Sequence, residues 1–549
     1  MNTLHRRLAT AFGLALMIAL AGQGVSAQAP VPAAREPQGA PTQVREGQAR
    51  EAQAQSQAHE SQAREGQSRE NQASRPDSRP DRPVSSQRLP ADATTEHTLE
   101  LPGRSLRFKA VAGALPINDG EGALQAEIAY TAYTVGADNG AARPVTFVFN
   151  GGPGASSAYL QLGAIGPWRL PLDNITPASE PDLVPNADTW LDFTDLVFID
   201  PVGTGYSHFV VTTEAVRKQF WSVDGDAASL AVFIRKWIEK YGRQSSPKFI
   251  IGESYGGFRA PRIASKLQND EGVGVSGLVM ISPVLDFAWR SQKAHSPLLW
   301  VSRLPSMAAA TRDIKQPFDR EALREVERYA AGDFLLDLMR GERDTAAVER
   351  ISARVAAVAG LDPTLVRQLA GRVDLQTFQR ELNRSRGLVT SIYDTTVTAL
   401  DPYPTSRNSR FADPFLSAMS APLTSAATKL YRTTLNWKVE TPYHLLDSHI
   451  NSQWDFGRGR GGGPDVVDDL RTLLSGNGHM QILIAHGAAD LVTPYFENQL
   501  IVDQLPSFGT PERLRLAVYG GGHMFYSRDV SRRALRADAL RVFETRRTE

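Results

Sequence analysis

The 549-residue sequence contains no cysteine. This absence excludes disulfide bonds, thiolate metal sites, a cysteine nucleophile and a lipidated N-terminal cysteine. The fold must therefore be held by packing alone, and hydrophobic residues, at 42% of the chain, are numerous enough to bury a large core. The sequence predicts neither a metal site nor a cofactor.

An excess of one charge sign is also absent, because 60 lysine and arginine residues balance 60 aspartate and glutamate residues. Proteins that bind nucleic acids usually carry a strong basic excess. We therefore expect no nucleic-acid partner. No pattern in the sequence indicates the oligomeric state.

Long apolar runs are missing after the N-terminus, since no later stretch reaches the roughly 18 apolar residues that a membrane span requires. At the start of the chain, Arg6 and Arg7 precede an apolar run over residues 8–21, and the small residues 25–27 follow. This order is typical of a secretory signal peptide at residues 1–27. We expect an exported protein, periplasmic or secreted, whose mature chain has no transmembrane span. An uncleaved membrane anchor is the alternative.

Residues 28–94 repeat short phrases of arginine, glutamate, glycine, alanine and glutamine and contain almost no aromatic or β-branched side chains. Such a composition buries too little apolar surface to offset the entropy of ordering the chain. We predict a disordered tether here. A helical stalk is the alternative, because alanine, arginine, glutamate and glutamine favour helices.

The folded part is predicted to begin near Glu96, with alternating antiparallel strands at residues 99–111 and 124–135. Short continuous apolar runs then predict buried strands at 145–149, 196–199, 249–251, 278–281, 482–485 and 514–518. Helical patterns separate several of these runs, including 223–241, 258–267 and 532–545. The pattern predicts an α/β fold with a mostly parallel sheet and helices on both faces. Its two parts, 95–287 and 478–549, flank a helix-rich cap insertion at 288–477.

One glycine-flanked serine stands out in the segment Gly252-Glu253-Ser254-Tyr255-Gly256. It follows a predicted buried strand and precedes a predicted helix, which is the context of a G-x-S-x-G nucleophile elbow. The glycines allow a tight turn that leaves the serine hydroxyl exposed at the edge of the sheet. We predict that Ser254 is a nucleophile. A glycine turn around a buried structural serine is the alternative.

A serine nucleophile needs a general base, and in this fold the chain order is serine, then an acid, then histidine. His523 follows three glycines in the loop after the last predicted strand. His486 also ends a strand, but it precedes the candidate acid, so we interpret it as structural. His523 is therefore the predicted general base.

Asp490 lies 33 positions before His523, in the loop after another predicted buried strand. Its predicted role is to orient the imidazole and to stabilise the imidazolium ion. Asp503 is less suitable because it falls within a predicted helix. Asp200 precedes Ser254 in the chain, and we interpret it as a turn residue.

A glycine-rich loop, residues 150–154, follows the predicted strand at 145–149. Its amides can approach a substrate oxygen closely because no Cβ blocks them. We predict an oxyanion hole formed by the backbone amides of Gly152 and Tyr255. A phosphate-binding loop is excluded, because the Walker motif and its lysine are missing.

These segments resemble the serine carboxypeptidase family of the α/β-hydrolase superfamily. The matching motifs, in family order, are residues 150–157 (NGGPGASS), 198–207 (FIDPVGTGYS), 252–257 (GESYGG), 487–490 (GAAD) and 521–524 (GGHM). The resemblance covers about residues 125–549, and it is weak in the predicted cap. It identifies the chain as a bacterial exported member with an α/β-hydrolase fold.

The resemblance implies a serine-type carboxypeptidase that hydrolyses C-terminal peptide bonds through an acyl-enzyme, often best at acidic pH. It implies a peptide substrate whose terminal carboxylate is bound by Asn150, Gly151 and Glu253, and it places Met524 at the substrate pocket. Ala155 replaces a cysteine that is usual in the family, in keeping with the absence of disulfides. Ala164 replaces a glutamate that would pair with Glu253, which puts strict exopeptidase specificity in question.

Two other functions fit the same residues. An exported esterase or acyltransferase would use the same Ser-Asp-His triad, because a fold does not fix the substrate. A non-catalytic exported protein could use the core only as a binding surface, although a complete triad argues against it.

Overall fold

The computed structural model describes residues 88–136, 143–172, 175–179, 182–290, 293–313, 318–406, 411–457 and 463–544. The predicted signal peptide and most of the predicted tether lie outside these residues. Within the described ranges, no helix is both long enough and apolar enough to cross a membrane.

A sheet of ten strands forms the centre of the described part of the chain. A two-residue strand, His208–Phe209, pairs only with the third of the longer strands. The longer strands are β1 Ala93–Leu101, β2 Arg104–Asn118, β3 Leu124–Thr134, β4 Val145–Phe149, β5 Asp195–Ile199, β6 Lys248–Glu253, β7 Gly277–Ile281, β8 Gln481–Gly487 and β9 Leu514–Tyr519.

The strand order is β1-β2-β3-β5-β4-β6-β7-β8-β9. Strands β1 to β3 pair antiparallel, and β3 pairs antiparallel with β5. All pairings from β5 to β9 are parallel. The mostly parallel sheet predicted from the sequence is thus confirmed.

Helices cover both faces of this sheet. The α-helices of four or more residues in the described ranges are α1 Glu214–Phe220, α2 Val223–Lys240, α3 Tyr255–Asn269, α4 Phe287–Arg290, α5 Pro297–Asp313, α6 Arg320–Tyr329, α7 Leu335–Arg340, α8 Thr345–Ala359, α9 Pro363–Gln368, α10 Leu375–Glu381, α11 Pro414–Lys429, α12 Ser448–Gln453, α13 Val467–Gly476, α14 Tyr495–Val502 and α15 Asp529–Glu544. Ser222 is the N-cap of α2, and its side chain accepts a hydrogen bond from the Gly225 amide.

The strand β4 shows why the apolar runs are continuous. Its side chains alternate between two apolar clusters, with Val148 on one face and Phe147 and Phe149 on the other. The helices α2 and α3 cover the second face, whereas α15 covers the first. A strand that is buried on both faces has no polar positions to alternate with its apolar ones.

Two predicted boundaries near the N-terminus are wrong. The predicted strand at residues 99–111 is a hairpin that turns at Pro102 and Gly103, where Gly103 has a φ of 76°. The ordered chain also begins earlier than Glu96, because β1 starts at Ala93 and Arg88 forms a 2.8 Å ion pair with Glu127. The predicted tether therefore includes residues that belong to the fold.

The predicted cap insertion at 288–477 has two structural parts. Helices α5 to α10 form an apolar cluster of their own, which also includes Ala488, Ala489 and Leu491 beside the predicted acid. Helix α11 packs in the cluster on one face of the sheet, and α13 packs in the cluster on the other face. Only the first part is separate from the sheet, because apolar residues of the second part complete the two main cores.

Candidate active site

The turn between β6 and α3 presents Ser254 at the edge of the sheet. Ser254 has a φ of 59°, a left-handed conformation that is uncommon for a residue with a side chain. A Cβ on Gly252 would lie 1.8 Å from the Gly256 carbonyl oxygen, and one on Gly256 would lie 2.7 Å from that of Phe149. The flanking glycines are thus required by close backbone contacts, as expected for a nucleophile elbow.

The loops after β8 and β9 bring Asp490 and His523 together. The His523 Nδ1 and the Asp490 Oδ2 are 2.9 Å apart, and both side chains are buried. The second oxygen of Asp490, Oδ1, accepts hydrogen bonds from the backbone amides of Val492 at 2.8 Å and Thr493 at 2.9 Å. The Thr493 hydroxyl donates to Oδ2 at 2.7 Å. The carboxylate is therefore fully hydrogen-bonded, although it lies away from water.

Burial and the interaction between Asp490 and His523 have opposite effects on the pKa of each group. Burial raises the pKa of Asp490, but the charge and hydrogen bond of His523 more than offset it, and the pKa lies below its ordinary value. Burial lowers the pKa of His523, but the charge and hydrogen bond of Asp490, together with the charge of Glu253, raise it above its ordinary value. The arrangement stabilises an imidazolium ion beside an ionised carboxylate, which is what a general base next to a nucleophile requires.

One residue that sequence analysis did not single out links the loops of the three predicted triad residues. Ser282 follows β7, has a φ of 44°, and donates its hydroxyl to the His523 carbonyl oxygen at 2.8 Å. Its own carbonyl oxygen accepts from the Thr493 hydroxyl at 3.0 Å. The preceding carbonyl, that of Ile281, accepts from the Ser254 amide at 2.8 Å. Because Ser282 contacts loops that are distant in the sequence, no local sequence pattern could have identified it.

The free nitrogen of the imidazole faces the elbow. The His523 Nε2 lies 3.7 Å from the Glu253 Oε1. Within the described residues, the Ser254 hydroxyl makes no hydrogen bond. Hydrogen bonds between nucleophile and base are often long or poorly aligned before substrate binds, so transfer of the serine proton would require the Ser254 hydroxyl to approach His523 Nε2.

The glycine-rich loop after β4 lies directly against the start of α3. A Cβ on Gly151 would be 2.5 Å from the Tyr255 nitrogen and 2.7 Å from the Glu253 oxygen. In the part of the chain that the structure describes, the amides of Gly152 and Tyr255 donate to no acceptor. The Tyr255 amide lies at the N-terminus of α3, next to Ser254 in the chain, and the oxyanion hole formed with Gly152 stays a prediction.

Asn150 and Glu253 form a buried pair beside this loop. The Asn150 side-chain nitrogen donates to Glu253 Oε2 at 2.9 Å, and its oxygen accepts from the Leu160 amide at 2.9 Å. Glu253 Oε1 is buried and has no hydrogen-bond partner among the described residues. Burial raises the pKa of Glu253 above its ordinary value, although the His523 charge and the Asn150 hydrogen bond lower it. The raised pKa extends the pH range over which Glu253 is neutral and can donate a hydrogen bond.

The other residues considered from sequence have different surroundings. Met524 is buried and belongs to an apolar cluster on one face of the sheet. His486 is buried, its Nε2 lies 2.8 Å from the Asn498 side-chain nitrogen, and burial lowers its pKa to about 4. Asp503 is exposed after the end of α14. Asp503 is thus separate from the buried pair of Asp490 and His523, whereas the charges of both members of that pair act on His486.

Asp200 was interpreted as a turn residue, but it also forms a long-range hydrogen bond. It is buried after β5, and its Oδ1 accepts a hydrogen bond from the Ser157 amide at 2.8 Å. Burial raises the pKa of Asp200 to about 7. This carboxyl therefore positions the chain that follows the glycine-rich loop, a role that depends on contacts between segments 43 residues apart.

A family model described as serine carboxypeptidase matches residues 102–318. The matched range contains the glycine-rich loop and Ser254, whereas Asp490 and His523 lie beyond it. The resemblance stated from the motifs is thus confirmed for the matched range.

Three known proteins are similar to parts of the chain. A protein of Arabidopsis thaliana called serine carboxypeptidase-like 5 is 29% identical over 201 residues, which are 34% of this chain and 45% of the relative. The pheromone-processing carboxypeptidase kex1 of Neosartorya fischeri is 36% identical over 153 residues, 25% of this chain and 22% of the relative. The crystal structure of a prohormone-processing carboxypeptidase, Kex1, from Saccharomyces cerevisiae has 16% identity and a TM-score of 0.49, and the match covers 79% of this chain and 92% of that one. The chain thus spans less than half of the length of both curated relatives.

Proposed function

We propose that the protein is a serine-type carboxypeptidase that hydrolyses C-terminal peptide bonds, because a family model described as serine carboxypeptidase matches residues 102–318. The observation that carries the proposal is the buried Asp490–His523 pair at 2.9 Å, in which His523 Nε2 lies 3.7 Å from Oε1 of Glu253, the residue before Ser254. A pair of this kind activates an alcohol for attack on a carbonyl carbon.

In the proposed reaction, the Ser254 Oγ attacks the carbonyl carbon of the last peptide bond while His523 Nε2 accepts the serine proton. The negative oxygen of the tetrahedral intermediate receives hydrogen bonds from the amides of Gly152 and Tyr255. When the C–N bond breaks, the imidazolium donates its proton to the leaving amine, and the acyl group remains on Ser254. Water then attacks the ester, His523 accepts a proton from that water, and the second product leaves with the serine regenerated.

The Asn150–Glu253 pair is proposed to bind the carboxylate at the end of the substrate. Neutral Glu253 has an unpartnered oxygen, Oε1, that can carry the proton and donate it in a hydrogen bond to an incoming carboxylate. Ionised Glu253 would repel the same group. Binding is therefore expected to weaken as the pH rises through the raised pKa of Glu253. Because His523 must be neutral to accept the serine proton, turnover is expected to fall at low pH, which gives a bell-shaped profile.

Release of free amino acids from N-blocked dipeptides by the purified full chain tests the proposal. The expected result is hydrolysis that requires a free C-terminal carboxylate, so the corresponding dipeptide amides are poor substrates. An enzyme that cleaves simple esters while leaving every blocked dipeptide intact would overturn the carboxypeptidase assignment and favour an esterase. The Ser254→Ala variant, prepared in parallel, excludes a contaminating peptidase.

We also propose that the protein is exported to the periplasm or medium after cleavage following Ala27. The support is the basic, apolar and small-residue order of residues 6–27. Mass spectrometry of the mature N-terminus after secretion tests this. A chain that keeps Met1 and stays in the cytoplasm would contradict it.

A further inference from the structure

A two-stranded hairpin of the predicted cap places its tip against the loops that follow β8 and β9. The strands of this hairpin, Leu388–Thr390 and Thr398–Leu400, pair antiparallel. Residues 391–397, which we call the hairpin tip, connect the two strands. The Ser391 amide donates to the Val397 carbonyl oxygen at 3.0 Å, so the tip is a compact turn that is closed at its base.

The backbone of the hairpin tip is hydrogen-bonded to both loops. The His523 amide donates to the Tyr393 carbonyl oxygen at 2.6 Å. The amide of Leu491, which follows Asp490 in the chain, donates to the Ile392 carbonyl oxygen at 3.2 Å. Two successive carbonyl groups of the tip therefore hold the backbones of the proposed acid and base relative to each other.

The glycine before His523 makes room for this contact. A Cβ on Gly522 would overlap the Tyr393 carbonyl oxygen and would also crowd the Asp394 Cα. The loop after β9 and the hairpin tip thus approach each other more closely than a side chain at residue 522 would permit.

Side-chain contacts hold the hairpin tip from two directions. The guanidinium of Arg528, in the loop after β9, donates to both carboxylate oxygens of Asp394, at 2.9 and 3.0 Å. Asp413, the N-cap of α11, accepts from the Ser391 hydroxyl at 2.7 Å and from the Ile392 amide at 3.0 Å. The tip is thus attached to the loop that carries the proposed base and to a helix that packs on the sheet.

The Tyr393 ring lies against the imidazole of His523. The two rings are edge-on, with an interplanar angle of 87° and centroids 5.4 Å apart, which is a favourable aromatic arrangement. Within the described residues, the Tyr393 hydroxyl makes no hydrogen bond. The side chain therefore acts on the imidazole through its ring, which shields an imidazole that is only 2% exposed.

We propose that Tyr393 is a positioning residue for the proposed general base. Its carbonyl oxygen fixes the His523 backbone, and its ring limits rotation of the imidazole and keeps water away from it. The inference rests on the proposed function only for the role of His523 as base, because the contacts themselves involve no substrate. Displacement of a catalytic group by about 1 Å can lower the rate on the order of 10²-fold, so such positioning has a measurable effect.

Steady-state kinetics of two substitutions in the full chain test the inference. Tyr393→Phe retains the ring and is expected to keep kcat within about twofold of the wild type, because the hydroxyl has no partner. Tyr393→Ala keeps the backbone carbonyl but removes the ring, and kcat should fall by about 10- to 100-fold with little change in KM. The same losses are expected with para-nitrophenyl esters and with N-blocked dipeptides, because His523 acts on both.

Proton NMR of the imidazole gives a second measurement that needs no substrate. The Nδ1 proton shared with Asp490 should produce a downfield signal in the wild type and in Tyr393→Phe, and the absence of this signal in His523→Gln assigns it. In Tyr393→Ala the signal should broaden or disappear, because water reaches the imidazole and exchanges its proton.

A third variant, Asp394→Asn, tests the attachment of the hairpin tip without changing the ring. Loss of the charge weakens the ion pair with Arg528, and kcat is expected to fall by about three- to tenfold because the tip is held less firmly. An unchanged kcat in Asp394→Asn would overturn the role assigned to this ion pair.

The matched control is Tyr403→Ala, which removes an exposed tyrosine side chain outside the hairpin tip. It is expected to leave kcat, KM and the NMR signal unchanged, and chemical denaturation verifies that every variant is folded. A wild-type kcat and NMR signal in Tyr393→Ala would overturn the inference. An equal loss in Tyr393→Phe would also overturn it, because the hydroxyl and not the ring would then be the active group.

An increase in KM with an unchanged kcat in Tyr393→Ala would contradict the inference as well, because Tyr393 would then act on substrate binding. Failure of the proposed function gives a different result. Hydrolysis of the esters but of none of the dipeptides would refute the carboxypeptidase assignment, while the ester kinetics and the NMR signal would still measure the role of Tyr393.

Discussion

The two sides of the His523 ring differ in how completely their polar neighbours are hydrogen-bonded. On the Nδ1 side, Asp490 receives four contacts from His523, Val492 and Thr493, and no oxygen is left over. On the Nε2 side, the Ser254 hydroxyl and Glu253 Oε1 have no partner in the described residues. Buried polar groups in proteins are nearly always paired. Under the proposed function, we expect a substrate to complete the hydrogen bonds on the Nε2 side.

This difference separates the effects expected from mutation. Substitutions on the Nδ1 side should affect the rate of the chemical step and leave substrate binding nearly unchanged. Substitutions on the Nε2 side should affect the nucleophile itself or the affinity for substrate and its pH dependence.

The largest effect is expected for Ser254→Ala. Removal of the nucleophile should lower kcat/KM by about 10⁴-fold or more, because no acyl-enzyme can form. Hydrolysis of blocked dipeptides and labelling by a fluorophosphonate probe measure it. The control is Ser417→Ala, an exposed serine on α11, which should remain fully active and labelled. Retained labelling in Ser254→Ala would place the nucleophile elsewhere.

Asp490→Asn should reduce kcat by about 10⁴-fold with little change in KM, because an amide favours the wrong tautomer of His523. Steady-state kinetics provide the two constants. The matched control is Asp503→Asn, at the exposed acid after α14, which should behave as the wild type. An increase in KM with an unchanged kcat would mean that Asp490 acts on substrate binding and not on the imidazole.

Glu253→Gln tests the unpaired side through the pH profile. A glutamine donates a hydrogen bond at every pH, so KM for a blocked dipeptide should stop rising as the pH increases through the raised pKa of Glu253. We expect the variant to have a KM about tenfold lower than the wild type at pH 8. Dipeptide amides are the control, since they carry no carboxylate for residue 253 to bind. If KM changed with pH in the same way for the wild type and the variant, Glu253 would not be part of the carboxylate site.

The smallest effect is expected for Thr493→Val. The change removes the hydroxyl that donates to Asp490 at 2.7 Å, and it should reduce the free energy of unfolding by about 2 kcal/mol and kcat by less than about tenfold. Chemical denaturation and kinetics measure the two quantities. Thr424→Val on α11 is the control, because its hydroxyl donates at 2.7 Å to a backbone carbonyl far from the site. A larger loss of kcat than in Asp490→Asn would contradict this order.

Strongly local signals predicted much of the architecture. The strands β4, β6, β7 and β8 coincide closely with continuous apolar runs, because burial on both faces leaves few polar positions. The edge strand β9 also matches its predicted run, although only Tyr519 in it is buried. The hairpin between β1 and β2 was missed, since alternation continued across Pro102 and Gly103. The division of the predicted cap was also missed, because an amphipathic helix does not reveal which of several apolar surfaces it covers.

The same distinction between local sequence patterns and long-range contacts holds at the candidate active site. Ser254, Asp490 and His523 were predicted because each follows a strand and their chain order is restricted. Ser282 was not, because its contacts with His523 and Thr493 join residues that are distant in the chain. Asp200, interpreted as a turn residue, holds the Ser157 amide across such a contact.

The sequence by itself determined the central parallel strands, the serine elbow and the order of the predicted triad, since apolar periodicity and glycine positions act over a few residues. Only the tertiary structure decided which buried polar groups are paired and which remain free beside Ser254. Hydrogen bonds and charge effects depend on distances of a few ångströms between loops. Those distances follow from packing of the sheet and its helices and not from separation along the chain.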